Sequence, residues 1–246
     1  MKREDGDVAT AAAKPAGPSR RHYSGTVVSL GDGRGVRGIE RFSVSVAPDG
    51  SRTLHATCEI FDRNVSKDIV YSVDRHFRPM DASIRLIKDG SLLGTGWFHF
   101  DDSGAECEVF NRQLGRLSQR FPRAGGFPSF VPHPLACDVW HLAAYSHDSG
   151  QKVQYLDSAL SSVEHDGCSG PMLHPVRFGI EFVGPEKITV PAGNFETHRY
   201  RFHLGGSLPQ EHPPEELWCL PDDFIIVQIR VDGYMATTYQ LTELVR

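Results

Sequence analysis

The stretch Arg41–Phe61, RFSVSVAPDGSRTLHATCEIF, decides the fold class. Phe42, Val44 and Val46 alternate with Arg41, Ser43 and Ser45, the two-residue period of a strand with one apolar face. Pro48, Asp49 and Gly50 supply a tight turn. Leu54, Ala56, Cys58 and Ile60 then resume the alternation against His55, Thr57 and Glu59. Strand, turn and returning strand make the unit of an antiparallel meander.

The unit recurs on both sides. Upstream lies RHYSGTVVSL; downstream come DIVYSVDRHF, ASIRLI, LLGTGWFHF and AECEVF, with KDG and DDSG as turns. The last third returns to strands in VRFGIEFV, EKITV, FETHRYRFHL, ELWCL, FIIVQIRV and MATTYQLTEL. Between these arms, RFPRAGGFPSFVPHP and HDGCSGPMLHP read as loops, and QKVQYLDSALSSV fits a strand or a short helix. Only HPLACDVWHLAAYSH, His133–His147, repeats like a helix. No internal repeat or linker divides the chain. Residues 22–246 are expected to form one mainly β domain, and residues 1–21 a disordered tail. An antiparallel sheet of this many strands must curl. A half-open β-barrel with one helix in its concavity follows, a shape that encloses an apolar ligand cavity.

Composition removes several function classes. The net charge is −5, from 26 Lys+Arg against 31 Asp+Glu, which disfavours a nucleic-acid partner. No apolar run approaches the roughly 18 residues of a membrane span, and the first residues lack the apolar core of a signal peptide, so a cytoplasmic protein is expected. The 5 cysteines include no Cys-x-x-Cys pair and read as buried small hydrophobes. Among the 12 histidines, His165 and His174 share a loop with Cys168, yet the spacing fits no zinc pattern. Nucleotide-binding glycine motifs and a serine-hydrolase elbow are missing too. No metal or cofactor is expected. Exposed sheet edges make a homodimer plausible.

Two segments carry a family resemblance: ITVPAGNFETHRYRF (Ile188–Phe202) and ELWCLPDDFIIVQIRV (Glu216–Val231). They resemble the hairpin, Trp-bearing strand and acidic turn of the DUF3108-like family. Val190–Thr197, Trp218, Asp222–Asp223 and Glu243–Leu244 carry the match, and His133–Tyr145 resembles the family's mid-chain helix. The resemblance implies a curved sheet similar to the lipoprotein-carrier half-barrels. The half-barrel pattern also resembles the cytosolic γ-formaldehyde lyases of bacterial lignin-dimer catabolism. That resemblance implies cofactor-free removal of a hydroxymethyl carbon from phenylcoumaran-type aromatics.

Candidate chemistry starts on the helix. Pro134 suits its first turn. Leu135, Val139 and Leu142 form an apolar stripe, and Asp138, His141 and Tyr145 stack beside it at i, i+3 and i+7. An Asp orienting a His near a Tyr hydroxyl is a workable acid–base set; a solvated amphipathic face is the competing reading. His55 and Glu59 share the polar face of their strand and are either ligand contacts or solvent-facing. Trp97 offers an aromatic platform and His99 a proton acceptor, against plain packing. Tyr200 shares a face with Phe202, while Arg199 and Arg201 lie on the other and suit a carboxylate. Arg230 either stabilises ligand charge or pairs with an acidic neighbour.

The expected function is a cofactor-independent lyase acting on a bulky aromatic or hydrophobic small molecule. His141 or His99 would take a hydroxyl proton, Tyr145 or Tyr200 would hydrogen-bond the developing oxyanion, and Arg230 would stabilise its charge. The alternative is a non-catalytic carrier of a lipid-like molecule. It predicts a cavity of Val, Leu and Phe without convergent polar groups.

Overall fold

The computed structural model describes residues 20–204 and 212–246, so nearly all of the expected tail lies outside the described residues. One arm of the fold runs β1 (Arg21–Gly31), β2 (Gly35–Val46), β3 (Arg52–Ile60), β4 (Val65–Val73), β5 (Pro79–Lys88), β6 (Ser91–Asp101), β7 (Gly104–Asn111) and β8 (Gly115–Pro122). The other runs β9 (Phe130–Val131), β10 (Val153–Leu160), β11 (His174–Val190), β12 (Gly193–His203), β13 (Glu215–Leu220), β14 (Ile225–Val231) and β15 (Thr237–Val245). Residues 153–160, left open between strand and helix above, are therefore a strand.

All 15 strands of the described residues belong to one sheet, ordered β8 back to β1, then β15 back to β9. Neighbours are antiparallel except the short β9–β10 pair. The β1–β15 pairing joins the two arms, and the curved sheet does not close on itself. Cross-strand rows explain the curl. Val44, Leu54, Tyr71, Ala82, Phe98 and Cys107 face one another across six strands, and each is buried. The residues between them point outward. The one-sided apolar pattern bends the sheet around its own core.

The loop after β10 bridges the open edges. Ser161 donates its N–H to the Val131 carbonyl at 3.0 Å. Gln119 of β8 accepts from the Leu173 N–H at 2.9 Å and donates to its carbonyl at 3.3 Å, so a side-chain amide substitutes for a neighbouring strand. Gly94 is required beneath this loop, because a Cβ there would lie 2.3 Å from Pro171 Cδ.

The helical plug differs from its sequence reading. α1 covers only Leu135–Asp138, a 3-10 segment continues through Val139–Ala144, and Tyr145 is already extended. Tyr145 N–H bonds the Leu142 carbonyl at 3.0 Å, the i to i+3 bond that tightens a last turn. With the period shortened from 3.6, Tyr145 leaves the face shared by Asp138 and His141. The plug is also not amphipathic. Ala136, Cys137, Val139, Trp140, His141 and Leu142 are all buried, because both arms wrap around it. Trp140 meets Tyr71 of the first arm, and His141 meets Phe178 and Phe202 of the second.

Candidate functional site

Glu40, Cys58 and Lys67 are adjacent across β2, β3 and β4, at one end of otherwise apolar rows. All three are buried. Glu40 accepts from the Leu135 and Ala136 N–H groups at 2.8 Å each, and Cys58 Sγ donates to it at 3.2 Å. A strand carboxylate thus satisfies the first free donors of α1, which Pro134 leaves without a side-chain cap. Lys67 Nζ donates to the carbonyls of Asp166 at 2.9 Å and His133 at 3.2 Å. It holds His133 in a left-handed conformation (φ 70°), which is strained for a non-glycine residue.

These tethers place Asp138 beside a cavity of about 770 Å³, open at one end of the half-barrel. His133, Asp138, His165, Tyr234 and Tyr239 help to line it. Behind them lies an inner pocket of about 80 Å³, which also touches Asp138, His133 and His165. Val131, Val176, Phe178 and Phe202 supply apolar walls, and His141, His212 and Glu215 add polar groups. The outer volume suits a small organic molecule.

Polar atoms at the junction are left unsatisfied. Asp138 Oδ1, His133 Nε2, His141 Nε2 and His165 Nε2 are buried without a hydrogen-bond partner among the described residues. Such groups are rare in folded proteins and call for an explanation. Their protonation follows from burial. Burial, reinforced by the charges of Glu215 and Glu40, pushes Asp138 far above the carboxylate range, so it is held protonated. Burial lifts Glu215 to about 7. The same loss of water lowers His133 and His141 to about 3, keeping both rings neutral. His212 falls to about 4, again chiefly through burial. The site therefore presents a carboxylic acid, a carboxyl poised at neutrality and neutral imidazoles.

Of the residues singled out from sequence, Asp138 and His141 meet here, and the exposed Glu59 borders the mouth of the outer cavity. Tyr145 and Tyr200 meet each other elsewhere, their rings 6.0 Å apart with Phe182 alongside. Tyr145 donates to the Gln151 carbonyl at 3.2 Å. Trp97 and His99 stack at 5.5 Å on the outer face of β6, because Phe98 and Phe100 take the inward phase. His55 and Glu59 are exposed on the outer face of β3, where Glu59 pairs with Arg41. Arg230 also faces outward and reaches Glu216 at 3.0 Å, in a network that includes Arg199 and Arg201. Arg230 thus has acidic neighbours as its partners in the fold. Among the described residues, no group of three or more His, Cys, Asp or Glu could hold a metal ion.

Sequence reasoning passed over Glu40, Lys67, Glu215 and His133. The first two carried a usable signal. Glu40 is in phase with Phe42, Val44 and Val46, and Lys67 with Ile69, Tyr71 and Val73, so each is a charge on an apolar face. Burying such a charge demands a partner.

No family model matches the chain. No curated protein matches it either. Among solved structures, the chain is similar to a beta-barrel-like protein of domain of unknown function DUF1849 from Brucella abortus. That pair has 11% identity and a TM-score of 0.52, covering 92% of this chain and 95% of the other. A DUF1089 family protein from Pseudomonas aeruginosa is similar at 10% identity and TM-score 0.42, over 93% of this chain and 97% of the other. The first likeness supports the curved, barrel-like fold and reaches no further. Membership of the DUF3108-like family in particular is not shown.

Proposed function

We propose that the protein is a cofactor-independent acid–base enzyme, a lyase, acting on a bulky aromatic small molecule held in the cavity. One observation carries this reading: buried, unpartnered polar atoms of Asp138 and three histidines converge where the outer cavity meets the inner pocket. A pure carrier of apolar molecules has no use for them, and each is costly to bury unpaired. Two carboxyls with distinct protonation also suit an acid and a base at neutral pH.

In its most concrete form, the substrate is a phenylcoumaran-type dimer. The Glu215 carboxylate takes the proton of the hydroxymethyl group. The carbon–carbon bond to that group breaks and releases formaldehyde. Its electron pair forms the new carbon–carbon double bond as the ring ether bond opens, and the departing phenolate takes the proton of Asp138. The aromatic bulk occupies the outer cavity, and the one-carbon fragment fits the inner pocket, which has room for two or three waters. Five buried free thiols suit a reducing compartment, so a cytoplasmic location and kinship with the DUF3108-like family belong to the same proposal. The test is incubation of purified protein with phenylcoumaran dimers, following formaldehyde and the alkene product. Release that disappears in Asp138→Asn supports the lyase. Saturable binding without release from any dimer points to a carrier.

A further inference from the structure

His141 is held by a chain of buried hydroxyls that the reaction scheme above does not use. Ser158 Oγ donates to Ser129 Oγ at 3.1 Å, and Ser129 Oγ is hydrogen-bonded to His141 Nδ1. Ser129 and Ser158 are 2% and 0% exposed, so no bulk water competes for these bonds. The two serines come from different segments, the loop before β9 and strand β10. Phe178 meets the imidazole edge to face at 5.8 Å, and Phe202 flanks it at 6.3 Å. The ring is thus fixed in position, and its Nε2 has no partner among the described residues.

Donor direction decides what that nitrogen is. Ser158 supplies its proton to Ser129, and the buried Ser129 hydroxyl has no acceptor for its own proton among the described residues except His141 Nδ1. In a neutral imidazole that receives a proton at Nδ1, Nε2 must carry the hydrogen. We infer that Ser129 and Ser158 are positioning residues that lock His141 as the Nε2–H tautomer, making it a neutral donor in the wall of the inner pocket. The inference rests on the inner pocket as the ligand-binding end, as proposed above.

This has a consequence for the ligand class. The ligand's inner end must offer an acceptor, such as a hydroxyl, ether or carbonyl oxygen. An ammonium group has only donors and would leave His141 unpaired.

The tautomer is read directly by nitrogen NMR of the full-length protein. A pyrrole-type Nε2 and a pyridine-type Nδ1 at His141 are expected. Ser129→Ala is expected to allow both tautomers, and Ser129→Thr, which keeps the hydroxyl, to restore one. An Nδ1–H tautomer in the unaltered protein overturns the assignment, as does an unchanged spectrum in Ser129→Ala. Calorimetry with cinnamyl alcohol and cinnamylamine tests the ligand class. The alcohol is expected to bind about tenfold tighter, one good hydrogen bond's worth, with the gap narrowing in Ser129→Ala. Equal affinities, or no binding of the alcohol at millimolar concentration, overturn it. Alcohol binding without turnover of any dimer removes the lyase reading and leaves the tautomer lock standing.

Discussion

The two ends of the same strands are built on opposite rules. At one end, Arg52 of β3 donates to Asp223 at 3.2 Å and to the Gly50 carbonyl at 2.8 Å, with its guanidinium 4.1 Å from the Phe77 ring. Arg21 closes on the same carboxylate at 2.8 Å. The Arg21 hydrogen bond leads the effects that hold Asp223 below the usual carboxylate range. Six residues further along β3 lies Cys58, beside Glu40 and the cavity. There Asp138 is held protonated and keeps an unpaired oxygen. Paired charge dominates the first end, though Arg52 Nε and the neighbouring Tyr23 hydroxyl are left there without a partner among the described residues. The second retains polar groups that have no hydrogen-bond partner among the described residues. Local departures from full satisfaction mark functional sites.

The sharpest way to break the comparison is to neutralise one carboxyl at each end. Asp138→Asn should lower turnover of the proposed lyase substrate at least about 100-fold, the scale of a lost proton transfer. Its unfolding free energy, measured by denaturant titration, should stay close to that of the parent. Asp223→Asn should do the reverse: activity kept, stability lowered by about 1–3 kcal/mol as charge-assisted bonds weaken. Equal stability losses would mean the two ends do not differ.

Lys67→Met sharpens the boundary. It removes the partner of two buried carbonyls and frees strained His133. A cost on the order of 3 kcal/mol is expected, together with weaker ligand binding.

Acid titration of stability comes next. His133 and His141, at about 3, and His212, at about 4, lie below the ordinary histidine value of 6.5. The unfolded chain therefore binds protons first. Stability should be intact above that ordinary value and fall as pH drops towards 4, by up to about 1.4 kcal/mol per pH unit for each ring. Glu215, raised to about 7, acts oppositely. The folded state keeps its proton, so this contribution is lost as pH rises through neutrality. That loss runs from pH 4.5 to about 7, so Glu215→Gln should abolish it, and the stability gained between pH 4.5 and 7 should be larger than in the parent in thermal melts at a series of pH values.

The smallest effect belongs to the outer face. Trp97→Ala and His99→Ala should each change stability by no more than about 0.5 kcal/mol, with turnover unaltered. A large loss of turnover would place the site on the wrong side of the sheet.

Much of the fold was legible because a strand announces itself locally. Phe42, Val44 and Val46 need only their own neighbours to reveal a period of two. The same alternation left Trp97 and His99 ambiguous, since in GWFHF both phases are bulky and period alone cannot say which faces in. Asp138 and His141 stood out because they interrupt an apolar helical run. Tyr145 was assigned to their face on an α-helical period that the buried plug does not keep.

The sequence by itself determined the meander, its turns and the position of the plug, because these depend on side-chain alternation and backbone preference over a few residues. Tertiary structure alone decided which charges meet. Glu40 caps a helix 95 residues away, and Lys67 grips the carbonyl of Asp166, 99 residues on. Burial then set the protonation of Asp138 and Glu215. Desolvation is a property of the surroundings, and the chain has none until the sheet has curled around it.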